Sequence, residues 1–477
     1  MNHSASMPRR IAVIGGGISG LAAAHRLREL DPAVDVVVFE ADDRLGGVLH
    51  TEHEAGYVIE HSADNFITNL PWGVDLCKRI GFDSELIGTR PTGRRALVVC
   101  RGRTLPVPEA FVLLAPKKFW PVITTPILSW RGKLRMLAEW FVPPRRGGGD
   151  ESLASFVTRR LGVEAFERLV QPLVGGIYTA DSSKLSLAAT MPQFLEMERL
   201  HGSLLRAAWK DRHRQAAAER DSHGARYSLF NAPRQGMSSM VAALANTLPP
   251  QSIRLLSPIE HLERASDGWH VTVKNSSPEV FNGLIVATPG PIASRLLSSI
   301  DAELSQAMGL IPYAGSVVAL VGCRREQLTH PLDGFGFVVP EIERHKILSV
   351  SFSSQKYEGR AASDRVLLRV FLGGALQPEM LREPDHKIRA VVLEELQRLM
   401  GLSGEPELFR VRRWNAVMPQ YHLGHLDLIE RIDRRVAQFP GLGLAGNAFR
   451  GVGIPQCIRS GEQAAERVLM TTATGSP

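Results

Sequence analysis

The sequence predicts an α/β fold, α+β overall, built around a Rossmann-like domain whose segments lie far apart in the chain. Near the N-terminus, an apolar strand at 11–14 runs into three glycines and then a helical pattern. Near the C-terminus, residues 442–468 repeat the order strand, glycine loop, helix. The chain has 477 residues, which favours two or three domains.

The first loop has the spacing G-x-G-x-x-G between a strand and a helix. Gly15 permits a tight turn, Gly17 lets the backbone approach a pyrophosphate, and Gly20 lets the helix pack close to the strand. The N–H groups at the start of the helix would face the phosphates. The predicted cofactor-binding residues here are Gly15, Gly16, Gly17, Ile18, Ser19 and Gly20.

A second predicted strand, 34–39, ends at Glu40, which stands 20 residues after Gly20. A carboxylate at this distance typically binds an adenosine ribose that carries no phosphate. Glu40 therefore favours FAD or NAD, although a solvated strand end is the alternative reading.

The next segment favours FAD. Residues 41–47 read ADDRLGG, which resembles the R-x-G-G segment of FAD-dependent amine-oxidase-like flavoproteins. The resemblance implies that the segment touches the cofactor phosphates, for which an arginine supplies charge and glycines allow close approach. Its predicted cofactor-binding residues are Glu40, Ala41, Arg44, Gly46 and Gly47.

The C-terminal loop predicts the other end of the same site. A strand ends at Ala445, the glycine-rich segment 446–453 follows, and Pro455 suits the first turn of a helix. That helix can aim its positive end at the flavin N1–C2=O edge, where reduction places negative charge. The predicted cofactor-binding residues are Gly446, Asn447, Gly453 and Ile454.

The segment AGNAFRGVGIPQCIRSG resembles the C-terminal flavin motif of the oxygen-dependent protoporphyrinogen oxidase family. Segments 126–134, 151–178 and 334–340 resemble that family as well, so the likeness covers nearly the whole chain in order. Two departures stand out. Generic amine oxidases carry A-G-E where this chain has Gly446-Asn447, and residues 60–66, EHSADNF, lack the Gly-Pro of the family's E-x-G-P-D-S-F.

The two terminal motifs must meet, so the FAD-binding domain is predicted to be discontinuous: 1–92, 229–310 and 411–477. Within it, the resemblance implies that Ile259 packs beside the adenine. Residues 93–228 are predicted as a helical membrane-associating or substrate-channel region. Residues 311–410 are predicted as a substrate-binding domain.

The resemblance implies a porphyrinogen substrate, a tetrapyrrole with carboxylate side chains, bound in a flat apolar slot. Arg95 matches a propionate-binding arginine, with Arg94 as the alternative match. Phe371 matches a position that packs on a pyrrole ring, as, less closely, does Val338. A surface role for Arg95 and a plain core role for Phe371 are the competing readings.

The implied reaction is oxidation of protoporphyrinogen IX to protoporphyrin IX in haem biosynthesis. Hydride passes to flavin N5, three rounds remove six hydrogens, and dioxygen reoxidises the flavin to give peroxide. No catalytic side chain is assigned, because the cofactor carries the chemistry. Coproporphyrinogen III oxidase is the first alternative, an amine oxidase the second and a flavin-bearing binding module the third. His422 and His425 lack a third metal ligand nearby, so no metal is expected.

The segment 111–130, FVLLAPKKFWPVITTPILSW, predicts peripheral contact with membrane lipid. Its prolines prevent a continuous helix, and Phe119, Trp120 and Ile123 could enter the headgroup region. The net charge of +7 suits anionic ligands or lipids, and nucleic acid is not expected as a partner. Four separated cysteines and no recognisable signal peptide favour a cytoplasmic, reducing compartment; a homodimer is compatible with the sequence.

Overall fold

The computed structural model describes residues 9–473 except 109–110, 113–114, 117–122, 146 and 216–229. Among these residues, the element order begins and ends with the two strand–loop–helix units expected from the sequence. The strands of these two units and the one before Glu40, observed at Arg10–Ile14, Leu442–Leu444 and Asp35–Phe39, agree with their predictions to within one residue at either end.

A parallel five-stranded sheet forms the base of the first unit, with the order β12-β2-β1-β16-β22. Its strands are β1 (Arg10–Ile14), β2 (Asp35–Phe39), β12 (Ile253–Arg254), β16 (Gly283–Val286) and β22 (Leu442–Leu444). Alternate residues of β1 enter two different cores, Ile11 and Val13 on one face and Ala12 and Ile14 on the other. The sheet is therefore buried on both faces, as continuous apolar strands require.

Helices cover both faces of this sheet. On one face lie α1 (Ile18–Leu30), α2 (Trp72–Arg79), α10 (Met237–Ala245) and α16 (Ile454–Ala473). On the other lie α11 (Gly290–Leu297), α12 (Ala302–Gly309) and α15 (His425–Val436). The helices α1 and α16 pack side by side: a Cβ on Gly461 would lie 2.1 Å from the carbonyl oxygen of Ser19. The two ends of the chain therefore form one layer.

Three small antiparallel sheets complete this unit. They are β3 (Thr51–Glu54) with β4 (Tyr57–Glu60); β11 (Phe230–Pro233) between β5 (Phe66–Ile67) and β6 (Leu86–Gly88); and β14 (Gly268–Val273) between β13 (Ile259–Ala265) and β15 (Glu279–Phe281).

A mixed seven-stranded sheet forms the second unit, with the order β21-β17-β20-β19-β18-β7-β8. Its strands are β7 (Leu97–Cys100), β8 (Arg103–Pro106), β17 (Tyr313–Arg324), β18 (Gly336–Val338), β19 (Ser349–Phe352), β20 (Arg365–Gly373) and β21 (Leu408–Pro419). The helix α14 (Asp385–Met400) packs on one face through Ile388, Val392 and Leu396. The opposite face, which carries Val318, Leu320 and Phe371, packs toward Tyr57 and Ile59 of the first unit. We call it the inner face.

A helical region lies against both units. Its helices are α3 (Trp130–Leu137), α4 (Leu153–Leu161), α5 (Val163–Ala165), α6 (Gln171–Tyr178), α7 (Leu187–Thr190), α8 (Pro192–His201) and α9 (Leu204–Gln215). A π-helical turn spans Phe166–Val170. The fully buried guanidinium of Arg160 is paired with the equally buried carboxylate of Glu139. Glu139 also accepts from Ser203 Oγ and from the N–H groups of Leu204 and Leu205, which satisfies the start of α9.

The remaining described elements are short. They are the strands β9 (Phe111–Val112) and β10 (Ala115–Pro116), the helix α13 (Ser353–Lys356), and 3₁₀ turns at Asp83–Glu85, Ala138–Phe141, Pro250–Ser252, Arg325–Gln327, Glu341–Glu343 and Pro378–Leu381.

The pairing of two segments differs from the predicted domain boundaries. The strands β7 and β8 lie in the region 93–228, predicted as helical, yet they form one edge of the seven-stranded sheet. The strand β21 was expected mostly in the FAD-binding domain, yet along most of its length it pairs with β17. Both differences arise because strand partners are chosen by contacts distant in sequence. The rest of the domain division stays a prediction.

The membrane expectation rests partly on residues outside the described ranges. Phe119 and Trp120 fall there, whereas Ile123 is described and half-buried. Among the described residues, no helix has the length and apolar character needed to cross a bilayer.

Candidate cofactor and substrate site

The loop between β1 and α1 has the geometry expected for a nucleotide cradle. Gly15 has a φ of +107°, and a Cβ on Gly20 would lie 1.9 Å from the carbonyl oxygen of Gly15. A Cβ on Gly17 would meet no protein atom within 4 Å. Gly17 also starts α1 without any side-chain cap, so the first N–H groups of the helix remain available to an anion.

Glu40 lies at the carboxyl end of β2 and connects two loops of the site. Its Oε2 accepts from Gly16 N at 2.7 Å, and its Oε1 accepts from Asp42 N at 2.9 Å. Each carboxylate oxygen can accept a further bond, so a ribose hydroxyl remains compatible with this arrangement. The Ser257 N–H donates to the carbonyl oxygen of Glu40. The segment that leads to Ile259 is therefore held beside the carboxyl end of β2.

The Arg44–Gly47 segment lies against the first loop. The N–H of Gly46 donates to the carbonyl oxygen of Gly16 at 2.9 Å, and Gly17 and Gly46 form an isolated parallel β-bridge. The guanidinium of Arg44 donates to the carbonyl oxygens of Leu45, Gly47 and Leu49 at 2.7–3.2 Å. Arg44 therefore braces its own loop, and its contact with the cofactor phosphates stays a prediction.

The C-terminal loop reaches the same site from the other side of β16. A Cβ on Gly446 would meet no atom within 4 Å, although its φ of +132° favours glycine. The hydroxyl of Tyr421 donates to the carbonyl oxygen of Asn447 and accepts from Gly451 N at 2.8 Å. Burial raises the pKa of Tyr421, so its hydroxyl stays protonated and can make both bonds. These two hydrogen bonds fix the backbone conformation of the loop between β22 and α16.

The two predicted motifs are therefore brought together. β1 and β22 are separated only by β16, Ile18 and Ile454 belong to the same apolar core, and α16 begins at Ile454. Two helix N-termini, with glycines that leave room above them, suit an anionic dinucleotide. The donor set and the open glycines fit FAD. Of the other predicted contacts, Ser19 is buried, Gly47 and Gly453 are half-buried and Ala41 is exposed.

The inner face of the seven-stranded sheet meets this loop system. Trp414 Nε1 donates to the carbonyl oxygen of His61 at 2.7 Å, and Asn447 Nδ2 donates to Val417 O at 3.1 Å. Phe371 is half-buried on this face and pairs across the strands with Ser349 and Val318. The flavin-side loops and the predicted ring-packing residue thus lie along one boundary between the two units, which we call the interdomain slot.

The other predicted substrate residues, Val338 and Arg95, differ in their surroundings. Val338 is half-buried and packs on the helical core, and a Cβ on Gly176 would lie 3.6 Å from its Cγ1. Arg95 is exposed: its Nε donates to Asp333 O at 2.7 Å, and its Nη2 pairs with the Asp333 carboxylate. The alternative, Arg94, donates to the carbonyl oxygens of Arg90 and Thr89, each at 2.9 Å. Binding of a propionate by either stays a prediction.

Sequence reasoning missed a buried charge cluster at the slot. Asp64 Oδ2 lies 3.0 Å from Lys356 Nζ and 3.0 Å from Arg369 Nη1. Burial alone would raise the pKa of Asp64, but the two cations hold that pKa well below its ordinary value. Asp64 stands in the EHSADNF segment, which gave a signal for the acid; nothing in the sequence marked Lys356 or Arg369, which lie about 300 residues further along.

Two cavities border the turn that follows β20. One of about 10 Å³ lies among Gly176, Thr179, Val339 and Gly373. A wider cleft of about 410 Å³ lies beside Tyr313, Gly374, Gln420 and His422. His425, considered as a metal ligand with His422, instead donates from Nε2 to Phe449 O at 2.8 Å and stacks on Tyr421. The described residues hold no group of three or more side chains able to bind a metal ion.

Comparisons with known proteins agree with this geometry. The family described as flavin containing amine oxidoreductase matches residues 18–469. Coproporphyrinogen III oxidase of Staphylococcus aureus is 30% identical over 468 residues, covering 97% of this chain and 99% of that protein. Protoporphyrinogen oxidase 2 of Arabidopsis thaliana is 26% identical over 490 residues, covering 97% and 94%. A crystal structure of an Exiguobacterium protein assigned as a protoporphyrinogen oxidase superposes with a TM-score of 0.86 at 27% identity, covering 97% and 99%.

Proposed function

Because the chain belongs to the flavin containing amine oxidoreductase family and resembles porphyrinogen oxidases along its length, we propose that it oxidises a porphyrinogen with FAD and dioxygen. One observation supports this most: glycine loops from both chain ends meet beside an apolar inner face that carries Phe371. Removal of six hydrogens converts the porphyrinogen to a porphyrin. Bound FAD would supply the hydride acceptor and pass electrons to dioxygen.

The protein's part in this reaction is to bind and orient the macrocycle. Phe371 and Val338 offer apolar surface for a flat ring system, and neighbouring cations offer partners for its carboxylates. The slot lies between two sheets, so a substrate bound there would be shielded from bulk water. Each round gives one hydride to the cofactor and releases one pyrrole N–H proton to solvent, so no side chain is assigned as a general acid or base.

Two substrates compete for this assignment. Protoporphyrinogen IX, with two propionates and two vinyl groups, is the substrate expected from the sequence. Coproporphyrinogen III, with four propionates, is favoured by the name of the Staphylococcus aureus relative and by the buried cations at Arg369 and Lys356. A substrate with more carboxylates can use more of these cations.

The deciding experiment supplies each porphyrinogen to the purified yellow protein in air and follows porphyrin fluorescence. We expect FAD-dependent product formation with concurrent peroxide, and the ratio of the two kcat/KM values assigns the substrate. Protein stripped of FAD and then reloaded is the control. Failure on both porphyrinogens together with oxidation of a primary amine would replace the assignment with an amine oxidase.

Peripheral contact with a membrane is part of the proposal. Trp130 and Leu134 lie one turn apart in α3, and Phe141 ends the 3₁₀ turn that follows; the three side chains are 70%, 65% and 80% exposed. The Lys133 ammonium lies 4.6 Å from the centre of the Trp130 ring, but Lys133 is buried; Arg131 is an exposed cation beside this apolar surface. Exposed aromatic and aliphatic side chains beside cations suit the headgroup layer of an anionic bilayer.

Liposome co-sedimentation tests the membrane proposal. The wild-type protein should sediment with vesicles that contain anionic phospholipid, and the variant W130S/L134S/F141S should remain in the supernatant. The variant L310S/M470S, which removes exposed apolar groups elsewhere, is the matched control and should sediment like the wild type. Equal behaviour of all three proteins would remove the proposal.

A further inference from the structure

We propose that Lys356 and Arg369, held by Asp64, form a subsite that binds a substrate carboxylate in the interdomain slot. The inference deepens the function proposed above and rests on it. It assigns a place to one carboxylate arm of the porphyrinogen, separate from the predicted site at Arg95.

The three groups come from both units and meet at the slot. Lys356 ends α13, Arg369 lies in β20, and Asp64 comes from the loop between β4 and β5. Lys356 Nζ also lies 3.5 Å from Ser351 Oγ. The Lys356 side chain is 17% exposed, whereas that of Arg369 is 3% exposed. Lys356 uses two of its three N–H donors on Asp64 and Ser351 and so has one left for a ligand, while Arg369 supplies fixed charge behind it.

The charges of the cluster do not balance. Both cations use the same oxygen, Asp64 Oδ2, and the other oxygen accepts from Asn65 Nδ2 at 2.6 Å. Among the described residues, the buried Nε of Arg369 has no hydrogen-bond partner. One carboxylate faces two cations, and a buried uncompensated charge is costly. An anionic ligand group would complete the cluster.

The surroundings add positive charge. Arg360 is buried next to the cluster and donates to the carbonyl oxygens of Pro233 and Arg234. Glu60 is the other acid nearby, and burial raises its pKa to about 7, so near neutrality it carries only part of a charge. Three cations thus stand against less than two full negative charges. The excess attracts an anion rather than an amine.

The cluster lies at the right place for a side arm of the macrocycle. Arg369 and Phe371 point to the same face because they are two residues apart in β20, about 7 Å along a strand. The Arg369 guanidinium lies 5.1 Å from the centre of the Phe371 ring. A tetrapyrrole ring packed on Phe371 can therefore extend a two-carbon propionate arm toward Lys356.

Arg95 lies near the same end of the strands as Arg369 but is displaced sideways across the sheet, toward β18. Its carbonyl oxygen accepts from Phe335 N, next to the start of β18, and two strand spacings separate β18 from β20. At about 4.8 Å a spacing, the two cation sites are roughly 10 Å or more apart. A macrocycle with carboxylates on all four pyrrole rings can reach both sites, which favours coproporphyrinogen.

A purely structural ion pair is the competing explanation. Two variants separate the two explanations, because a subsite predicts opposite changes in ligand affinity for them. K356M removes a ligand-binding cation, whereas D64N removes the carboxylate that competes with the ligand for it. A subsite predicts that K356M weakens and D64N preserves or strengthens binding. A structural tie predicts that both variants act in the same direction.

The experiment titrates oxidised holoenzyme with coproporphyrin III, the fluorescent product, and measures KM for coproporphyrinogen III. We expect K356M to raise Kd and KM by about tenfold, the size of one charge-assisted hydrogen bond, with kcat within about twofold. K387M, at an exposed lysine of α14, is the matched control and should match the wild type. Flavin content and thermal midpoint establish that each variant is folded.

The outcomes separate this inference from the proposed function. An unchanged Kd in folded K356M, or equal weakening in K356M and D64N, overturns the subsite while leaving the porphyrinogen oxidase assignment intact. Wild-type protein that oxidises neither porphyrinogen overturns the assignment itself. Weaker binding in K356M, with preserved or tighter binding in D64N, supports both.

Discussion

At the scale of single residues, Gly17 and Gly20 are glycines of one loop for opposite reasons. A Cβ on Gly20 would collide with the backbone of Gly15, whereas a Cβ on Gly17 would enter space that no protein atom occupies. The first glycine therefore leaves room where the cofactor is predicted to bind, and the second serves the fold. The sequence pattern predicted both roles, because they depend only on local strand–turn–helix geometry.

Substitution of Gly17 tests that separation. Gly17 has a φ of −73°, which alanine adopts freely, so G17A should leave the thermal midpoint of the FAD-free protein unchanged. The same variant should bind FAD at least tenfold more weakly, as measured by retained flavin absorbance and by titration. G20A, the contrasting variant, should destabilise the FAD-free protein. Normal FAD affinity in G17A would contradict the placement of the cofactor.

Glu60 predicts a pH-dependent stability. Burial raises its pKa to about 7, so the folded state favours the neutral acid. Its contribution is full below pH 4.5 and is lost as the pH rises through 7, a change of up to about 3 kcal/mol. E60Q stays neutral, so its thermal midpoint should fall less than that of the wild type between pH 5 and 8. Identical pH profiles would show that Glu60 titrates normally.

At the scale of elements, Tyr421 joins β21 to the C-terminal flavin loop. Its hydroxyl holds both Asn447 and Gly451, and its ring stacks on His425 at 4.0 Å. The loop between β22 and α16 therefore keeps its shape through a residue of another sheet. Sequence reasoning did not identify Tyr421, because the contact joins segments that no local pattern connects.

Removal of the Tyr421 hydroxyl should loosen that loop. Y421F leaves the Gly451 N–H without its partner, and we expect FAD affinity to fall about fivefold to thirtyfold. Y57F is the matched control, since it loses a buried hydroxyl bonded to Glu407 away from the flavin loops. Release of FAD on dilution, followed by flavin fluorescence, measures the effect. Equal release of FAD from Y421F and Y57F would contradict a role of the Tyr421 hydroxyl in shaping the flavin loop.

At the scale of the whole molecule, one site depends on segments from both ends of the chain. The helices α1 and α16 touch through Gly461 and Ser19, and the loops before them lie at the same edge of the parallel sheet. Ion pairs at Asp64 and the Trp414–His61 bond tie the second sheet across the slot. These contacts couple the two units.

Binding of FAD should protect both chain ends together. We expect slower amide hydrogen exchange at residues 15–20 and at 446–454 when FAD is added to the FAD-free protein. The thermal midpoint should rise with FAD concentration, because the cofactor binds only the folded state. Peptides from α14, which packs on the face of the second sheet opposite the inner face, provide the internal reference. Protection limited to the N-terminal loop would contradict a shared cofactor site.

The sequence by itself determined most strands of the parallel sheet and the two glycine loops, since steric demands on a turn and the charge of a phosphate act on neighbouring residues. FAD rather than NAD followed from the resemblance of the segment 41–47 to flavoproteins. Only the tertiary structure decided that β7, β8 and β21 join the substrate sheet, that Arg95 is paired at the surface, and that Lys356 and Arg369 share Asp64. Those features depend on strand partners and ion pairs hundreds of residues apart, and packing rather than local pattern selects them.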